Sequence, residues 1–133
     1  MLTCVALTFL GAASFGDLSA LAVEVEAGAR ELTAQTEITP AFLEQIGDFS
    51  GDSERLSVAL RQAGVEQDLP CIFHGIAEDA RERIVEFREA DTAGERTAAF
   101  TNLRVLLDDA ILIAPMAASA AADEAAEHAV ASR

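Results

Sequence analysis

The chain contains no lysine, tryptophan or tyrosine, and only two cysteines, two histidines and three prolines in 133 residues. Each shortage excludes something. All nine cations are arginine, set against 23 carboxylates for a net charge of −14. A protein that binds nucleic acid needs cations to displace the counterions on phosphate, and this one has few to offer. The same imbalance opposes adhesion to an anionic lipid surface. Two cysteines cannot build a disulfide scaffold, and no pair of Cys-x-x-Cys motifs prepares a zinc site. Seven phenylalanines are present, but no basic residues interleave with them as a base-stacking platform requires. The glycines spell neither a dinucleotide fingerprint nor a phosphate loop. The uncharged run from Ala110 to Ala122 is too short to cross a bilayer, so no stable membrane span is expected.

What is present points to helices. Hydrophobic residues make up 51% of the chain, which excludes disorder despite the charge. The length suits one domain able to bury its own core. Alanine fills about a fifth of the chain, well above ordinary usage. Ala, Leu, Glu and Arg are good helix formers, and no segment alternates apolar and polar residues as a half-buried strand does. Arginine without lysine, together with abundant alanine, suggests GC-rich bacterial coding.

Leu2 to Ala13 is uncharged and mostly apolar, the length of the apolar region of a secretory signal. Small residues follow it. Gly11-Ala12-Ala13 before Ser14 is the preferred cleavage site; Ala20-Leu21-Ala22 before Val23 would cut through a helix. The basic start of a signal is missing, since the first cation is Arg30. Residues 1–13 are therefore read as a signal peptide and the protein as periplasmic or secreted. The alternative is an apolar N-terminal helix in a cytoplasmic protein. Residues 14–133 are read as a single domain.

Five helical segments are expected. Asp17 is a candidate N-cap for a stripe of Leu18, Leu21, Ala22, Val25, Ala29 and Leu32 running to about Gln35. Thr39-Pro40 opens a short second helix anchored by Phe42, Leu43 and Ile46 and ended by Gly47. Ser50 or Asp52 caps a third helix, carrying Leu56, Ala59 and Leu60, and Gly64-Val65 stops it in a Schellman turn. Asp68-Leu69-Pro70 opens the fourth, whose core face is Phe73, Ile76, Ala77, Ala80, Ile84 and Phe87. Thr92-Ala93-Gly94-Glu95 is a capping box opening the fifth, whose apolar band runs from Ala99 to Ala114 before Pro115 breaks or kinks it. Beyond lies an alanine-rich helix or tail, Met116 to Ala131, with weak packing of its own. Short joints favour antiparallel neighbours, giving an all-α, up-down bundle.

Chemistry-bearing residues are few. Cys71, His74 and Glu78, spaced three and four apart on one helix face, form a candidate metal-ligand set. Cys71 with His74 as base is a candidate nucleophile, but no orienting Asn or Asp and no oxyanion turn accompany the pair, so no catalytic residue is assigned. A buried Cys71 is the simpler reading; Cys4–Cys71 is the only internal disulfide the sequence allows. Asp108 and Asp109 point about 100° apart on a helix and make no acid/base dyad. By subtraction, the expectation is a small acidic, non-enzymatic helical protein without a cofactor. It would act by binding an unknown protein partner or by homo-oligomerising, with Phe73, Ile111 and Met116 as contacts. The alternative is a helical carrier for a metal or small ligand, using Cys71, His74 and Glu78.

Overall fold

The computed structural model describes residues 15–66 and 68–132, and these contain four α-helices and no strand. They are α1 (Phe15–Thr33), α2 (Pro40–Gln62), α3 (Leu69–Glu89) and α4 (Ala93–Ala131). Short connections join them in sequence. Each packs on its chain neighbours, and α1 closes the ring against α4. The expected all-α class therefore holds, with four helices in place of about five. The signal-like segment 1–13, its cleavage site at Ser14 and Cys4 lie outside the described residues.

The missing helix boundary is at Gly47 and Gly51, which α2 runs straight through. The reason is the spacing of its buried face. Phe42, Ile46, Phe49, Ser53, Leu56 and Leu60 recur at intervals of three and four without interruption. Burial of that stripe outweighs the roughly 1 kcal/mol that a mid-helix glycine costs. Ser50 and Asp52 consequently cap nothing: the Ser50 hydroxyl donates to the Ala77 carbonyl on α3, and Asp52 pairs with Arg55.

Other punctuation behaves as its chemistry requires. The Thr39 hydroxyl accepts from the Phe42 N–H at 3.0 Å, with Pro40 at the first turn. Gly64 takes φ +80°, and the Val65 N–H returns to the Leu60 carbonyl at 3.0 Å, closing the Schellman turn over a buried Val65. Thr92 and Glu95 exchange both bonds of the capping box. Asp68 precedes α3 but makes no side-chain cap bond, and Asp17 lies inside the first turn of α1 instead of before it. Pro115 does not end α4, which continues to Ala131. Its ring is exposed, so the hydrogen bond lost at the Ile111 carbonyl falls on the wet side, where water substitutes.

Small side chains bring the helices together in two close pairs. Against α3, α2 presents Ser50, Ser53 and Ser57, facing a helix that buries Pro70, Ala77 and Ala80. Ser57 donates to the Pro70 carbonyl at 2.5 Å and Ser50 to that of Ala77 at 2.7 Å. Between α1 and α4, which also pack closely, small buried side chains are frequent: Ala22 and Ala29 beside Leu18, Val25 and Leu32 on α1, and Ala110, Ala114, Ala117 and Ala121 on α4. At the end where α2 begins and α3 finishes, Phe42, Phe87 and Phe100 form a closed triangle with ring centroids 4.9–5.6 Å apart. Arg104 on α4 donates to the Thr33 carbonyl at the C-terminal end of α1, where a cation opposes the helix dipole.

The serine row contains one imbalance. Ser53 is fully buried and its hydroxyl has no hydrogen-bond partner. Ser53→Ala should therefore raise the unfolding free energy by about 1 kcal/mol, whereas Ser50→Ala should lower it by a similar amount, because it strips a bond from a buried pair. Urea denaturation of the two variants beside the wild type checks both signs.

Candidate functional site

The first turns of α3 place the expected ligand face outward. Phe73, Ile76, Ala77 and Ala80 turn into the core, which leaves Cys71, His74 and Glu78 on the other side of the helix. Cys71 is exposed and free, correcting the expectation that it is buried: position 71 lies away from the stripe that packs on α2. His74 is part-buried and sits between two carboxylates. Its Nδ1 is 2.8 Å from Oε2 of Glu54 on α2, and its Nε2 is 3.2 Å from Oε1 of Glu78 one turn along. With Nδ1 protonated the ring donates across to α2, and a doubly protonated imidazolium donates to both partners. Glu54 is the residue that sequence reasoning missed. Nothing in the spacing of α3 announces it, because it arrives from the neighbouring helix.

The cluster brings together His74 and Glu78 of the expected ligand set, while among the described residues no hydrogen bond or disulfide joins Cys71 to them. Among the described residues no group of three or more His, Cys, Asp and Glu side chains is placed to hold a metal ion. Ser50, Ser53 and Ser57 are sealed in the α2/α3 seam, so none of these hydroxyls reaches His74 as a surface nucleophile.

A second feature is the outer face of α4. Val105, Leu112, Met116 and Val130 are large apolar side chains left 57–72% exposed. At about 100° per residue they fall within about 20° of one line along the helix, roughly 37 Å from end to end. Asp108 and Asp109 flank Leu112 on either side, and Asp123 interrupts the line between Met116 and Val130. Beside the stripe, α4 and the α2–α3 turn enclose an open groove of about 790 Å³. Val65, Leu69 and Met116 contribute its apolar surface, Glu66, Asp123, Glu124 and Glu127 its carboxylates, and no cation lines it.

Of the three expected partner contacts, the structure exposes one. Met116 stands out on this face. Ile111 is half-buried and packs against the core. Phe73 is 0% exposed, which removes it from any surface contact: it belongs to the same stripe as Ile76 and Ala80, and that stripe faces inward. Leu112, which the sequence reading passed over, is exposed on this face. The long helix also contains a stretch apolar enough, by length and composition, to cross a membrane, and a third of that stretch is buried in the bundle. Its apolarity is in part that of a core helix, with Leu103, Leu106 and Leu107 turned inward.

Two outcomes follow for the α3 face. Cys71 should react stoichiometrically with iodoacetamide in the native protein, with the helical circular dichroism signal unchanged; protection until denaturant is added would contradict its placement. His74→Ala should lower the unfolding free energy by no more than about 1 kcal/mol, the range of part-exposed ion pairs, as read by denaturant titration.

No protein-family model matches the chain, and no curated protein or solved structure matches it either.

Proposed function

We propose that the protein is a small, non-enzymatic, exported interaction protein that binds another chain through the outer face of α4. The observation that supports this best is the line of Val105, Leu112, Met116 and Val130, turned to water on a helix whose opposite face is fully occupied by the core. Leu112 and Met116 stand one turn apart as an exposed apolar pair, with Val105 and Val130 further along the same line. Adjoining exposed apolar side chains, unlike single scattered ones, mark an interaction surface. A second observation agrees: the last turns of α4 carry Ala122, Ala126 and Val130 exposed, so they offer surface more than core.

The His74 cluster ranks below this surface as a site. It has two carboxylates and one imidazole, with Cys71 one turn away but not hydrogen-bonded to them, and it lies outside the α4 groove. Export rests on the uncharged run Leu2–Ala13 and the small residues after it.

Incorporation of a photoreactive residue at position 112 in the native host should yield a cross-link to one defined protein. The yield should fall on adding Met116→Asp, and position 82 on the outer face of α3 should give none. Absence of any cross-link from position 112 contradicts the reading. Intact mass of the protein from the same host should show a chain beginning at Ser14 or Phe15; a chain retaining Leu2 to Ala13 would remove export from it.

A further inference from the structure

The charge around the α4 stripe identifies the kind of partner. Between Arg104 and Arg133 the chain has no Arg or Lys, whereas Asp108, Asp109, Asp123, Glu124 and Glu127 all fall there. Asp108, Asp109, Asp123 and Glu127 are exposed, and Asp123 lies on the line of the stripe itself. The adjoining groove repeats the pattern, with apolar Val65, Leu69 and Met116 set among Glu66, Asp123, Glu124 and Glu127. We infer that the outer face of α4 seats a cationic amphipathic helix of a partner protein. Its apolar side would lie on Leu112 and Met116, and its Lys or Arg side chains over Asp108, Asp109, Asp123 and the carboxylate groove. This deepens the interaction reading above and rests on it.

Three physical points separate this occupant from the others. A second copy of the chain would lay the same carboxylates against themselves, while Arg104 at the edge of the face already donates to the Thr33 carbonyl, and like charges across a contact are repelled. An anionic bilayer is repelled for the same reason. A neutral partner helix would bury Leu112 and Met116 but bring no counter-charge to the flanking Asp108 and Asp109. A helix carrying cations beside its apolar face satisfies the stripe and its flanks together.

The test uses the full chain and two synthetic helices of equal length and identical leucine positions, one with Lys and one with Glu at every polar position. A third peptide scrambles the Leu/Lys order. Binding is measured by isothermal titration calorimetry at low and high salt. The Leu/Lys helix should bind, at least tenfold more weakly at high salt, while the Leu/Glu helix should not bind. Leu112→Ser with Met116→Ser should weaken binding at least tenfold, and so should Asp108→Asn with Asp109→Asn and Asp123→Asn. Val85→Ser, at an exposed apolar position on α3, should leave binding unchanged. All the altered side chains are exposed, and circular dichroism confirms that each variant folds. Equal binding of the scrambled peptide, or binding unaffected by Leu112→Ser with Met116→Ser, overturns the inference. So does a dimer in sedimentation analysis that those substitutions dissolve, or capture on neutral phosphatidylcholine vesicles that they abolish. A cross-link at position 112 together with failure of the Leu/Lys helix would sink the cationic partner alone and leave the interaction reading standing.

Discussion

Close approach of helices across small side chains is the constraint on which this structure depends. Ser50, Ser53 and Ser57 face the buried Pro70, Ala77 and Ala80, and alanines are frequent in the seam between α1 and α4. Side chains of this size bury little area each, so the large apolar groups must do their work elsewhere. They do so in the interior formed by Leu18, Phe42, Phe49, Phe73, Leu103 and Leu107 and at the Phe42/Phe87/Phe100 triangle. The cost of the seam is specificity of size. Interiors are packed as densely as organic crystals, and one added methylene in such a contact forces the helices apart.

The alanine seam also explains the two faces of α4. Its inner face runs Ala99, Leu103, Leu106, Leu107, Ala110, Ala114, Ala117 and Ala121, changing from leucine to alanine along its length while staying buried. Its outer face holds Leu112 and Met116, which this ring of four helices leaves uncovered. An apolar outer face on a helix so acidic is an unusual pairing. The carboxylates keep the surface wet, and the stripe between them is where the proposed partner helix would lie. The membrane-like hydropathy of the helix arises from adding these two faces together, although they face different surroundings.

How far the sequence could be read depended on whether a feature was local. Thr39-Pro40, Gly64-Val65 and Thr92 to Glu95 settle their ends through bonds within a few residues, and the structure makes those bonds. The buried stripes of α1 and α3 are legible for the same reason, since periodicity is a property of one helix. Gly47 and Pro115 misled because each breaks an isolated helix, whereas here packing on one side, or solvent on the other, absorbs the penalty. Phe73 was mistaken for a contact although it shares the spacing of the core stripe. Glu54 could not be found at all, because it reaches His74 only once α2 and α3 are paired. Leu112 was invisible for a related reason: inside a wide apolar band, sequence alone does not say which member faces out.

The account stands or falls on the difference between the two faces of α4, and equilibrium unfolding in urea measures it directly. Ala114→Leu enlarges a side chain in the α1/α4 seam, and Leu112→Ser removes one from the outer face. Overpacking should make the first variant less stable by about 1–3 kcal/mol. The second should stay within about 0.5 kcal/mol of the wild type. A stable Ala114→Leu together with a Leu112→Ser that loses several kcal/mol would show that the outer stripe, and not the seam, is the buried face, and would contradict the account.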